Sequence, residues 1–186
     1  MLELWARLVD LACAPASVRA DRRALRARLR SASRRIRGVE ASEREALRAE
    51  AHRLTGLRVT IGQLTGTPRC CGVCAARLPD APPRFAGGFC CGSKSAPVTL
   101  ERELAVLLLD GYRLAAAPAT RAHAGCLFRT PEGCTLSPAA RPSLCVCYLC
   151  TDLKRELHAR GVLARVVALS DELQHGVERI GAALGL

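Results

Sequence analysis

Aromatic side chains are scarce in this 186-residue chain: three Phe, two Tyr and one Trp make up 3% of it. Burial has to come mainly from Leu, Ala and Val, a set dominated by helix formers, so an all-β architecture is set aside. Long apolar runs are missing too. The longest, Leu104–Leu109, falls far short of the roughly 20 residues a membrane-spanning helix needs. Near the N-terminus, Glu3 and Asp10 stand where a secretory signal requires positive charge and then unbroken apolar sequence. Asp10 also interrupts the faint lipoprotein-like run Leu11-Ala12-Cys13. The expectation is a cytoplasmic protein without membrane association. There is no glycine-rich nucleotide loop after a strand, no HExxH helix and no nucleophile–base pair, so no catalytic motif supports an enzyme.

What is abundant is positive charge and cysteine. The net charge of +11 is uneven: residues 1–66 carry +7, residues 67–150 carry +4, and residues 151–186 are neutral. Nine arginines lie between Arg19 and Arg37 against the single acid Asp21. Such a segment offers a surface to nucleic acid or another anionic partner, although arginine-rich helix faces are also found merely solvated.

The apolar pattern predicts helices on both sides of an irregular centre. Residues 17–37 open at Ser17 and repeat Val18, Leu25, Leu29, Ala32 and Ile36 on one stripe, with Gly38 as a stop. A second helix opens at Ser42, with Glu45 completing a capping box, and carries Leu47, Leu54, Leu57, Ile61 and Leu64. These two are expected to form an antiparallel hairpin. A helix over residues 99–116 starts at Thr99 and ends before Pro118. After Thr151, taken as a cap, helix resumes with a break near Gly161. A last stripe then runs through Leu163, Val166, Ser170, Leu173, Val177, Ile180 and Leu184 and is expected to pack on the N-terminal pair. The resulting fold class is mostly α: a bundle of an N-terminal hairpin (1–65) and a C-terminal helical segment (151–186) around a cysteine-rich centre (66–150).

Ten of the eleven cysteines lie between Cys70 and Cys150. Cys71-x2-Cys74 has a chelating spacing, because two intervening residues let the backbone turn both sulfurs onto one ion about 2.3 Å away. The vicinal pair Cys90-Cys91 is flanked by Gly87, Gly88 and Gly92 and cannot easily bridge to itself. Cys145-x-Cys147-x2-Cys150 directly precedes a helix, whose N-terminal amides favour thiolate. Clustering in loops argues against cysteines used merely as small core residues, and the vicinal pairs argue against a disulfide framework. Soft thiolates point to zinc or an iron–sulfur cluster and away from calcium or magnesium.

The stretches Cys126-Leu127-Phe128, Gly133-Cys134-Thr135-Leu136 and Arg141-Pro142-Ser143-Leu144-Cys145, with Tyr148 and Cys150 after them, resemble the YkgJ-type zinc- or iron-chelating domain, the CxxCxxCC family. The resemblance covers residues 70–150 and implies eight ligands: Cys71, Cys74, Cys90, Cys91, Cys126, Cys134, Cys145 and Cys150. Cys13, Cys70 and Cys147 are left as extras. Where the family sets its CC a few residues after its CxxC, 15 residues intervene here. A related pattern in flagellin lysine N-methylases implies that a cluster on such a scaffold can support methyl transfer. Arg141 and Pro142 are expected to serve the centre indirectly, by shaping the turn into Cys145 and by offsetting thiolate charge. His123 precedes Cys126 by three residues and reads as a surface group, as do His52, His158 and His175 on their helices.

Three functions fit these features. The first is a metal-binding module whose thiolate centre holds the loops while the helical arms meet a protein partner. The second is an iron–sulfur enzyme, methylase-like or redox. The third is a zinc-dependent nucleic-acid binder using the Arg19–Arg37 helix, which lacks base-stacking aromatics.

Overall fold

The computed structural model describes residues 16–66, 100–112, 128–130, 133–134 and 136–186. Within them the chain is mostly helical, as expected. The elements are α1 (Ala16–Gly38), α2 (Ala41–Thr65), α3 (Glu101–Leu109), β1 (Arg129–Thr130), β2 (Gly133–Cys134), a 3-10 turn (Pro138–Ala140), α4 (Ser143–Cys147), α5 (Thr151–Ala159) and α6 (Leu163–Ala183). The two short strands pair antiparallel, Arg129 opposite Cys134 and Thr130 opposite Gly133. Among the described residues no helix is long and apolar enough to cross a membrane.

A helix that is apolar on nearly every side belongs inside, and α3 is that helix. It is buried from Glu103 to Leu107 and again at Leu109, with α1, α2 and α6 packed around it. From α1 comes Ala32, with Leu25, Leu29 and Ile36 half-buried beside it. From α2 come Ala51, Leu54 and Ile61, with Leu47, Leu57 and Leu64 at the margin. Helix α6 turns Val166, Ser170, Leu173, Val177, Ile180 and Leu184 inward, the stripe read from its sequence, while Leu163 is half-buried at its start. The α2–α6 seam is close because Gly176 has no side chain: a Cβ there would overlap Leu54 Cδ2.

Four sequence expectations need correction. The N-terminal hairpin is not a pair of helices packed on each other, because α1 packs chiefly on α3 while α2 packs on α6 and α3. The apolar α3 demands burial on more sides than one neighbour can supply. The Ser42–Glu45 capping box does not form: α2 begins at Ala41 behind Glu40, without a side-chain cap, and Glu45 instead pairs with Arg48 at 3.4 Å. Helix α3 ends at Leu109 instead of continuing unbroken, while Thr99 and residues 113–116 of the expected span lie outside the described residues. Gly111, at φ +75°, donates to Leu108 O while Tyr112 N donates to Leu107 O, a Schellman stop that the glycine alone could have announced. Finally, Cys150 rather than Thr151 caps α5. The break near Gly161 is confirmed, with φ +68° and the same pair of stop bonds to His158 and Leu157.

At the surface α2 and α6 are joined by charge. Glu50 bonds Arg53 at 2.8 and 2.9 Å and Arg179 at 2.6 Å, and Arg53 reaches Glu172. At the other end of α2, Arg160 closes the helix by donating to Thr65 O at 2.9 Å and Leu64 O at 2.7 Å. The Arg53 hydrogen bond holds the Glu50 carboxyl down to about 2 from an ordinary 4.5, against the opposing effect of burial and with further help from Arg179.

Two outcomes are expected. Gly176→Val forces a side chain into Leu54 and lowers stability by about 1–3 kcal/mol in chemical denaturation; an unchanged midpoint would show that the seam is loose. Because the folded pKa of Glu50 is depressed, its contribution is fully present above about pH 4.5 and disappears as pH falls towards 2. Glu50→Gln is therefore less stable than wild type by about 1 kcal/mol at neutral pH, since the partners are partly solvated. Thermal melts should show that gap closing near pH 2.

Candidate metal centre

The cysteine-bearing segment is laid onto the bundle by a buried ionic chain. Arg58 on α2 is 0% exposed and its Nη2 donates to Glu103 Oε2 on α3 at 2.8 Å. The other carboxylate oxygen, Glu103 Oε1, accepts the backbone N–H of Ser143 at 3.2 Å and also the Ser143 hydroxyl. Ser143 opens α4 directly after Pro142, so Glu103 serves as a cap donated by another helix, satisfying an N–H that α4 cannot satisfy itself. Burying two charges is costly unless each is met. The arrangement pairs the two charges through Arg58 Nη2, although Arg58 Nε and Nη1 have no partner among the described residues, and it sets where Arg141-Pro142-Ser143-Leu144-Cys145 begins its turn.

Smaller contacts hold the lead-in. Arg141 Nε donates to Leu136 O at 3.1 Å, and Tyr112 and Ser137 share a hydroxyl hydrogen bond of 2.8 Å. Pro138 sits against Gly62 of α2, where an added Cβ would come within 2.9 Å of the Pro138 Cβ. Arg141 is thus a brace on the loop it belongs to, by way of a backbone carbonyl. Helix α4 itself packs on α6 and α2.

This placement sorts the last three cysteines. Cys147 faces inward, its thiol 3.7 Å from Ser170 O of α6. Burial pushes that thiol up from its ordinary pKa, with Ser170 and Gln174 hydrogen bonding only partly opposing the effect. Half-buried against α6, it stays a neutral thiol. Cys145, two residues earlier, is exposed, as are Leu144 and Tyr148 beside it. Cys150 is half-buried and caps α5, its Sγ accepting the Leu153 N–H at 3.4 Å. Cys145 and Cys150 thus keep their sulfurs outside the α4–α6 contact that the Cys147 thiol fills.

Of the other ligands implied by the family resemblance, Cys134 has its backbone in β2, and Cys71, Cys74, Cys90, Cys91 and Cys126 lie outside the described residues, as do Cys13, Cys70 and His123. Among the described residues no group of three or more His, Cys, Asp or Glu side chains is gathered closely enough to hold a metal ion. His52, His158 and His175 are exposed on α2, α5 and α6. His52 pairs with Asp110 at 2.9 Å and His175 with Asp171 O at 2.7 Å. No protein-family model matches the chain, and no curated protein and no solved structure matches it either.

Sequence reasoning missed Arg58, Glu103 and Ser143. A signal was present for two of them. Arg58 occupies the α2 stripe between Leu54 and Ile61, and Glu103 is embedded against the apolar run that follows it. One buried charge of each sign on two helices that must meet is a pairing in waiting.

Glu103→Leu strands the Arg58 guanidinium in the core and should cost about 3–5 kcal/mol. The double variant Arg58→Met/Glu103→Leu should cost less than the two single changes together, read as a double-mutant cycle in urea. Strict additivity would show that the pair does not act as a unit.

Proposed function

We propose that the chain is a metal-binding protein that coordinates zinc or an iron–sulfur cluster through cysteine thiolates, as a metal-stabilised interaction module. The ligand set is Cys71, Cys74, Cys90, Cys91, Cys126, Cys134, Cys145 and Cys150, the set that the resemblance to the YkgJ-type pattern implies. The observation that carries the reading is the sorting of the C-terminal cysteines. Cys145 is exposed and Cys150 Sγ accepts the Leu153 N–H at the start of α5. Cys147, the residue the pattern omits, is a thiol turned into the core.

Density of donors supports the same conclusion. Eight thiolates suffice for two four-cysteine zinc sites, or for one four-iron cluster and a second site. Four thiolates around one zinc leave a net charge of about −2, which the excess of basic residues in 67–150 helps to offset. Metal affinity at such a centre depends on how the ligands are held. The Glu103–Ser143 cap holds the segment that carries Cys145 and leads to Cys150.

The test is metal and inorganic sulfide per chain after purification without oxygen. Cys145→Ser and Cys150→Ser should each lose most of their metal and melt earlier, since metal binding is linked to folding. Cys147→Ala should keep its metal and lose only packing, about 1 kcal/mol. Full metal in both serine variants, or loss of metal in Cys147→Ala, would contradict the assignment.

A further inference from the structure

Helix α1 has two faces. Leu25, Leu29, Ala32 and Ile36 turn towards α3, while Arg23, Arg26, Arg30, Arg34 and Arg37 are all exposed. At 100° per residue those five fall within an arc of about 80°, and they span about 21 Å of helix axis. The stripe is uninterrupted by acid, for no Asp or Glu occurs between Arg22 and Val39. Alongside it Ala20, Ala24 and Ala27 are exposed, so the guanidinium heads stand proud of their neighbours and no bulky neutral group holds a partner away. Like charges three and four residues apart disfavour a helix, and only Arg37, in the last turn, is favoured by the helix dipole. The stripe is thus a local strain on α1 that an anion would relieve.

We infer that this stripe is a binding surface for double-stranded nucleic acid, engaging the phosphate backbone without regard to sequence. Three features select that partner over an acidic protein or a single strand. Protein interfaces are anchored at their centre by aromatic or apolar side chains in packed pockets, and among the described residues the exposed positions of α1 hold Arg, Ala and Gly alone. Single-strand binding relies on aromatic rings that stack bases, and α1 has none. A duplex backbone asks for a line of positive charge, which guanidinium groups meet with paired hydrogen bonds to phosphate. The inference does not rest on the metal centre, since α1 lies outside it.

The test uses the full chain and a fluorescently labelled 20-base-pair DNA duplex, with anisotropy followed from 50 to 200 mM KCl. Five phosphate contacts predict a log–log salt slope of about −4.5, equivalent to about 500-fold weaker binding across that range. The variant R26Q/R30Q/R34Q should flatten the slope by about 2.7 while keeping its helicity by circular dichroism. The variant K154Q/R155Q/R165Q, which removes the same charge from exposed positions on α5 and α6, should leave the slope near the wild-type value. Absence of binding at 50 mM KCl would overturn the inference, as would an unchanged slope in the α1 variant or equal flattening in the control. Displacement of the duplex by polyglutamate at equal charge would also overturn it, in favour of an acidic protein partner.

Discussion

Arg58 and Glu103 meet where neither can reach water, and the lie of the cysteine segment follows from that meeting. Glu103 has two oxygens and divides them: Oε2 takes the Arg58 guanidinium and Oε1 takes the N–H and hydroxyl of Ser143. If the carboxylate were elsewhere, the first turn of α4 would open without its cap, and Arg58 would be an uncompensated charge in the core. Such a pair is a poor source of net stability, because desolvation consumes much of the attraction. Arg58 Nε and Nη1 also lack hydrogen-bond partners among the described residues. What the pair supplies is position. Three segments distant in sequence, α2, α3 and the start of α4, are fixed relative to one another by one carboxylate.

That position separates residues that the sequence pattern could only count. Cys145, Cys147 and Cys150 sit within six residues, yet the geometry gives each a different chemistry. Helix α4 packs on α6 through the side that carries Cys147, so this thiol is desolvated and stays protonated. Cys145, displaced by two residues on a short helix, emerges on the other side. Cys150 sits past the helix end, where the chain turns to begin α5 and the Leu153 N–H donates to its sulfur. The proposed metal role of the outer two follows from these surroundings, with the inner one acting as packing.

The sequence made the helical skeleton legible wherever an apolar stripe was long. The α6 stripe from Val166 to Leu184 turned inward residue for residue, because a 3.6-residue period with six matching positions leaves little freedom. Element ends were less legible. Gly111 ended α3 early through a Schellman stop, and a cysteine took the cap position that Thr151 was expected to hold. The packing partner of α1 was misread for a different reason. Periodicity reports which face is buried and is silent about what buries it, and the apolar α3 competes for every available stripe. The proposed thiolate set comes from the family resemblance, whereas the buried pair beneath Cys145 had no motif to announce it. Arg58 and Glu103 are single charges on apolar faces, and only their proximity gives them meaning.

X-ray absorption at the metal edge of the protein as purified without oxygen is the most direct test of thiolate coordination. A zinc or iron edge with a first shell of sulfur alone, at about 2.3 Å, is the predicted result. A shell dominated by oxygen or nitrogen, or a protein that carries no zinc or iron, would contradict it.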